Sequence, residues 1–282
     1  MTADEILALA VQRAAPSTVP ILKCNGPVPI QHGTGTLIRI AESHFLVSAA
    51  HVLTRSGFTN QQLSITGSDG RLVSLQSADC CHSVGQPSCW GDDCFDVALW
   101  RLNDQIVQQL PANEFLGQMD LQFDARLDKG KFFVFGYPII WSTRSASDPY
   151  TIEQAPIAMV TGDYTGRTNF EAYKPEYNIL LRYSPDEMLN SDGNEFPIPR
   201  HLNGISGCSI WKLHDENCQA DKWDGSLARL VGVQTGVLDP PGVIKGTKWR
   251  AVINMMGSQW PELKRCFDLI LPRPNAIAPQ PS

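Results

Sequence analysis

The sequence predicts an all-β protein of the barrel or sandwich class, and three observations carry that expectation. Short apolar runs of strand length recur along most of the chain, separated by Gly, Pro, Asn, Asp and Ser turn signals. The helix-like patterns are longest at the two ends. A polar stretch through Gln118, Asp120, Asp124 and Asp128 interrupts the apolar runs, which places a link between two halves near residues 112 to 130. The chain has 282 residues, enough for one large domain or two half-sized ones sharing a cleft.

Residues 3 to 14 predict a short amphipathic helix, with Asp4 and Glu5 in its first turn and Pro16 past its end. Val19-Pro20-Ile21-Leu22-Lys23 reads as the first strand. Residues 34 to 40 and 44 to 50 read as a hairpin about Ala41-Glu42-Ser43, with a short helical turn after His51. Leu63-Ser64-Ile65-Thr66 and Leu72-Val73-Ser74-Leu75 flank Gly67-Ser68-Asp69-Gly70, a second hairpin signal. Residues 79 to 94 are rich in Cys, Gly, Asp and Pro and read as a loop that delivers the strand opened by Asp96. In the second half, residues 131 to 135, 156 to 162, 177 to 183, 209 to 213 and 230 to 234 read as strands. Residues 139 to 155 and 184 to 203 read as loops. Residues 255 to 270 read as a C-terminal helix, and residues 272 to 282 as a frayed tail. The expected organisation is an N-terminal helix at 1–18, a first β unit at 19–125, a second β unit with the C-terminal helix at 126–271, and a tail at 272–282.

Composition excludes several function classes. With 43% hydrophobic and 18% charged residues, the chain can build a sizeable core and is not globally disordered. Its 29 acidic and 23 basic side chains leave a net charge of −6, which argues against nucleic acid or an anionic membrane as the main partner. No run approaches the roughly 18 apolar residues of a membrane span. Met1-Thr2-Ala3-Asp4-Glu5 lacks a basic region followed by an apolar one, so no signal peptide is expected and a cytoplasmic location is inferred. The 8 cysteines are then expected to be mostly reduced. Cys80-Cys81-His82, Cys89 and Cys94 invite a zinc hypothesis, but their spacings do not match paired C-x-x-C ligands; a structural loop, no metal and no cofactor are expected.

The chemistry concentrates in Leu202-Asn203-Gly204-Ile205-Ser206-Gly207-Cys208-Ser209-Ile210-Trp211. A serine hydroxyl is a poor nucleophile until a base takes its proton, and acyl transfer also needs donors aimed at the developing oxyanion. Glycines beside the serine permit a tight turn that points successive N–H groups to one spot. Two partners lie upstream. Phe45-Leu46-Val47-Ser48-Ala49-Ala50-His51 is an apolar strand closing on a histidine, and Asp96-Val97-Ala98-Leu99-Trp100 is an aspartate opening another. Asp92 and Asp93 are rivals, but only Asp96 abuts its strand. The order His, Asp, Ser is one in which serine-hydrolase triads occur. Cys208 is a second nucleophile candidate, placed beyond the turn.

Ser48-Ala49-Ala50-His51, Asp96-Val97-Ala98-Leu99 and Gly204-Ile205-Ser206-Gly207 together resemble the three signature blocks of trypsin-like serine peptidases, with Gly33-Thr34-Gly35-Thr36, Phe135-Gly136-Tyr137-Pro138 and Leu230-Val231-Gly232-Val233 in support. The resemblance covers about residues 20 to 260 and is nearest to single-domain peptidases of bacteria. It implies two antiparallel six-stranded β-barrels of the chymotrypsin type, with short N-terminal and C-terminal helices. It assigns Ser206 as nucleophile, His51 as general base, Asp96 as its orienting partner, and the N–H groups of Gly204 and Ser206 as oxyanion hole. Two departures stand out. Ile205 occupies the position of an aspartate that pairs with a new N-terminus in secreted relatives, so activation through that salt bridge is not expected. Gly207-Cys208-Ser209 replaces Gly-Gly-Pro, which could mis-set the oxyanion loop.

By the same resemblance, the primary pocket is lined by residues just before Ser206 and by Gln234-Thr235-Gly236-Val237. Arg200, His201 and Asn203 stand there with no acid among them, which disfavours a Lys or Arg preference; such a basic wall either suits an acidic side chain or simply faces solvent, and Thr235 and Gly236 are the expected opposite wall. The function implied is a serine endopeptidase acting on a dedicated intracellular protein or peptide, with room for a regulatory protein partner. The alternatives are an inactive protease-like module that holds a peptide or protein, and an esterase using the same triad. The strand-rich pattern disfavours an α/β-hydrolase scaffold for the latter.

Overall fold

The computed structural model describes residues 2–24, 28–54, 62–67, 70–83, 93–110, 113–123, 130–144, 152–167, 173–184, 202–214, 227–238 and 242–270. Helix α1 (Ala3–Ala14) starts where the sequence predicts, because Thr2 and Glu5 form a capping box: the Thr2 hydroxyl accepts the Glu5 N–H at 3.2 Å and the Glu5 carboxylate accepts the Thr2 N–H at 2.7 Å. Arg13 in its last turn pairs with Asp120.

The first sheet comprises β1 (Thr18–Lys23), β2 (Ile30–Ile40), β3 (Ser43–Ala49), β4 (Leu63–Thr66), β5 (Leu72–Ser74), β6 (Asp79–His82) and β7 (Val97–Leu102). Its strands run antiparallel in the order β5-β4-β1-β2-β3-β7-β6. Helix α2 (Ala50–Thr54) leaves the end of β3, and α3 (Asp104–Val107) follows β7 with Asn103 as its cap. The second half opens with β8 (Lys131–Gly136), followed by a small hairpin of β9 (Ser142–Arg144) and β10 (Ile152–Gln154). Then come β11 (Ile157–Gly162), β12 (Asn178–Arg182), β13 (Ser209–His214), β14 (Arg229–Leu238) and β15 (Val243–Lys248). These join β8 in a six-stranded sheet of order β11-β8-β13-β14-β15-β12. Helix α4 (Trp249–Gln259) and helix α5 (Lys264–Ile270) close the chain.

Each sheet curls around its own core, one holding Leu37, Leu46, Ile65 and Trp100, the other Val134, Ile205, Ile210 and Ile244. A third cluster joins the two halves. It sets Phe45 and Val47 of the first sheet against Phe133, Trp211 and Val233 of the second, under Trp249 and Trp260. Aromatic residues of this size bury enough apolar area to fix the two sheets together.

Four expectations need correction. The first sheet has seven strands, not six, because Asp79–His82 pairs with β7 from Asp79↔Arg101 to His82↔Ala98. The stretch expected as a loop at 139 to 155 contains the β9–β10 hairpin. Strand β15 has no counterpart in the sequence reading. The C-terminal helix begins at Trp249 and breaks at Trp260, where Pro261 opens a 3₁₀ turn before α5. The expected tail at 272–282 lies outside the described residues.

Candidate active site

His51 sits in the first turn of α2, and Asp96 ends the segment that leads into β7. The two meet because β3 and β7 are paired neighbours, with Ala49 opposite Val97. The Ala50 N–H donates to the Asp96 carbonyl at 2.9 Å. The His51 N–H donates to Asp96 Oδ1 at 3.0 Å, and His51 Nδ1 lies 2.7 Å from Asp96 Oδ2. Both carboxylate oxygens are thus spent on one residue. The ring keeps 19% exposure and the carboxylate 13%, so the pair is shielded but the imidazole still reaches solvent.

Asp96 adopts φ +49, a left-handed conformation that costs a non-glycine residue on the order of 1 kcal/mol. Asp93 holds it there. Its Oδ2 accepts the Asp96 N–H at 2.8 Å and the Ser83 hydroxyl at 2.5 Å, and its Oδ1 accepts the Phe95 N–H at 2.9 Å. The rival carboxylate of the sequence shapes the turn, and Asp96 is the one that meets the histidine. Asp92 lies outside the described residues.

The same turn is gripped from the second sheet. Lys245 Nζ donates to the Asp93 carbonyl at 3.4 Å, Asn178 Nδ2 donates to the Cys94 carbonyl at 2.6 Å, and the Thr247 hydroxyl donates to the Phe95 carbonyl. Lys245 and Thr247 project from the same face of β15, and Asn178 stands opposite Thr247 in the β12–β15 register. Three consecutive carbonyls are therefore latched across the boundary between the two halves. Burial holds the Lys245 ammonium below the ordinary lysine range, while Asp96 and Asp93 act in the opposite sense.

Ser206 stands in a turn between Leu202 and β13. Gly204 (φ +94) and Gly207 (φ +91) flank it in left-handed conformations. A Cβ on Gly207 would overlap the Ser48 hydroxyl and the Thr34 carbonyl, so this turn packs directly on the strand that runs into His51. Thr34 fastens it: its N–H donates to the Ser206 carbonyl at 2.9 Å, and its hydroxyl donates to the Gly204 carbonyl at 2.9 Å while accepting the Tyr137 N–H at 3.0 Å. The Gly207 N–H donates to the Gln234 carbonyl at 2.8 Å. The Gly204 and Ser206 N–H groups donate to no acceptor among the described residues. Ile205 is fully buried in the second-sheet core, so an apolar anchor holds the turn.

Cys208 is fully buried against Gly136, and burial pushes its thiol far above the ordinary range, which removes it as a nucleophile. Burial and Asp79 push the Cys81 thiol up to about 12. Among the described residues no group of three or more His, Cys, Asp or Glu side chains is placed to hold a metal ion; Cys89 lies outside them. Thr235 and Gly236 fall at a bulge in β14, where the β15 register slips between Gln234 and Gly236. The Thr235 hydroxyl and Gln234 Oε1 are buried without partners among the described residues. Arg200 and His201 lie outside them. The sequence reading missed Thr34 as the fastener, and Gln31. Gln31 is buried and bonds the Tyr137 carbonyl at 2.6 Å, Ser142 at 2.8 Å and Gln154 at 2.6 Å, which ties the β9–β10 hairpin to β2.

No protein-family model matches the chain, and no curated protein matches it. Solved structures do. The HtrA-type protease AlgW, solved with a tripeptide, aligns with a TM-score of 0.50 at 18% identity, over 89% of this chain and 62% of its own. The serine protease domain of the Sesbania mosaic virus polyprotein aligns at 0.46 and 14%, over 87% of this chain and 91% of its own. A chain from work on the coupled folding and binding of that virus's intrinsically disordered VPg protein aligns at 0.46 and 13%, over 87% and 90%. No helix among the described residues is long and apolar enough to cross a membrane. The two curled antiparallel sheets and the likeness to AlgW show the fold: a chymotrypsin-like double barrel.

Proposed function

We propose that this protein is a serine endopeptidase acting on a protein or peptide substrate. The observation that carries the reading is the grip of both Asp96 oxygens on His51, beside a serine turn fastened to the strand leading into that histidine. With Nδ1–H committed to Asp96, Nε2 is the free base. It takes the proton from Ser206 Oγ as that oxygen attacks the substrate carbonyl. The oxyanion settles on the Gly204 and Ser206 N–H groups, whose individual removal costs roughly 10²–10³ in rate in comparable hydrolases. Imidazolium then protonates the leaving amine, and water, deprotonated by the same base, clears the acyl-enzyme. The described cysteines are free thiols, which supports a reducing compartment such as the cytoplasm. Arg200 and His201 remain the proposed source of an acidic preference, which a peptide library dominated by cleavage after Lys or Arg would overturn.

The test is labelling by a fluorophosphonate probe, with the site read by mass spectrometry. Wild type should label at Ser206, and Ser206→Ala and His51→Ala should not. Folded wild type that never labels would reject the peptidase and leave the protease-like binding module.

A further inference from the structure

A cavity of about 420 Å³ lies behind the Asp96 turn, where the two sheets meet α4. We propose that it is a binding site for a small aromatic molecule, and that occupancy steadies the Asp96 turn. Its volume falls in the range of about 300–1,000 Å³ that holds small ligands. Its walls are apolar and soft: Phe95 and Tyr177 stand with ring centroids 5.0 Å apart and planes tilted by 58°, and Val252 and Met255 of α4 face them. Such a lining suits a flat ring, through ring–ring and thioether contacts. His82 and Asn254, both exposed at the rim, offer a donor or acceptor to one polar atom on that ring.

The cavity shares its walls with the latch. Phe95 lines it, and the Phe95 carbonyl is the group that Thr247, also in the lining, holds. Ser83, another lining residue, holds the Asp93 carboxylate. A turn that swung out of its left-handed conformation would carry the Phe95 wall with it. A ring in the cavity therefore binds the latched arrangement better than the released one, and by linkage it favours that arrangement by the same factor. Asn178 lies outside the lining but latches the Cys94 carbonyl, so it can loosen the turn without touching the ligand.

The probe is 5-fluoroindole, titrated against the whole chain and followed by ¹⁹F NMR. Wild type should bind saturably. Met255→Trp and Ser258→Trp, which fill the cavity or its mouth, should weaken binding at least about tenfold while the fluorophosphonate labelling rate holds. Asn178→Ala should bind the probe several-fold more weakly, and saturating probe should restore part of its lost labelling rate. Absent saturable binding to wild type, or undiminished binding to whichever filled variant folds, would overturn the site. Equal affinity of Asn178→Ala and wild type would overturn the coupling. The effector role rests on the peptidase reading, whereas binding and its dependence on Asn178 do not. Intact binding in a protein that never labels would count against the peptidase and leave the site standing.

Discussion

Thr247→Val isolates the latch from the rest of the site. Thr247 is fully buried, and valine keeps its branched shape and volume while removing the hydroxyl that donates to the Phe95 carbonyl. The Phe95 carbonyl is part-buried, so leaving it without this donor costs up to about 1–3 kcal/mol, the upper end applying only to a fully buried group. The cheapest relief is rotation of the Phe95–Asp96 peptide, because Asp96 is already held at φ +49, where release returns on the order of 1 kcal/mol. Asn178, Lys245 and Asp93 still oppose that rotation. The expected outcome is a loss of stability of about 1–2 kcal/mol and a fall of about three- to tenfold in the fluorophosphonate labelling rate, since about 1.4 kcal/mol corresponds to tenfold. This is far short of the loss expected when the aspartate itself is removed. The assay pairs denaturant unfolding with labelling rates across pH, on wild type, Thr247→Val and Thr247→Ser. Serine keeps the donor and should restore the rate even where the missing methyl costs stability. A Thr247→Val protein that loses stability but labels at the wild-type rate would refute the claim that the latch positions Asp96.

Three further predictions follow from the same contacts. Lys245→Met removes the ammonium that donates to the Asp93 carbonyl, one of the three cross-sheet holds on the turn; a lost hydrogen bond of about 0.5–1.5 kcal/mol should lower the labelling rate by roughly two- to tenfold, with the fold retained by circular dichroism. Gly204→Ala places a Cβ 2.6 Å from Ile139 Cγ1 and 2.7 Å from the Ile139 nitrogen at φ +94, so the turn must shift; labelling should fall about 10²-fold or more, and circular dichroism should show the fold retained. Burial, then Arg39, lowers the His44 pKa, against Asp104 and Glu42. The unfolded chain then takes up this proton before the folded one, so stability is full above the free-histidine range and falls as pH drops through it; His44→Gln should flatten that part of a melting-temperature profile.

Much of this site is legible in the sequence because its chemistry depends on residue type and its geometry on simple local rules. His51 and Asp96 each abut a strand end, and those strands pair directly, so reading Phe45 to Ala49 and Val97 to Leu102 as strands is most of the way to reading the contact. Ser206 is legible through its glycines. The β6 strand is hidden because Asp79-Cys80-Cys81-His82 has the composition of a loop, and only its pairing with β7 makes it extended. Strand β15 is hidden for the opposite reason. Gly246 argues against a strand locally, yet Ile210 crosses so close above it that no side chain fits there. The latch is the least legible part. Asn178, Lys245 and Thr247 are ordinary polar residues on strands, and their carbonyl partners carry no side-chain signature at all. The available signal is indirect. Asn178 and Thr247 stand opposite each other at buried positions, and buried polar groups need partners. Those partners lie across the boundary between the two halves, where a pattern read along one strand cannot point. The Asp96 turn thus belongs to the first sheet by sequence, while the carbonyls of Asp93, Cys94 and Phe95 within it are held by the second. That turn is complete only when the two barrels are docked.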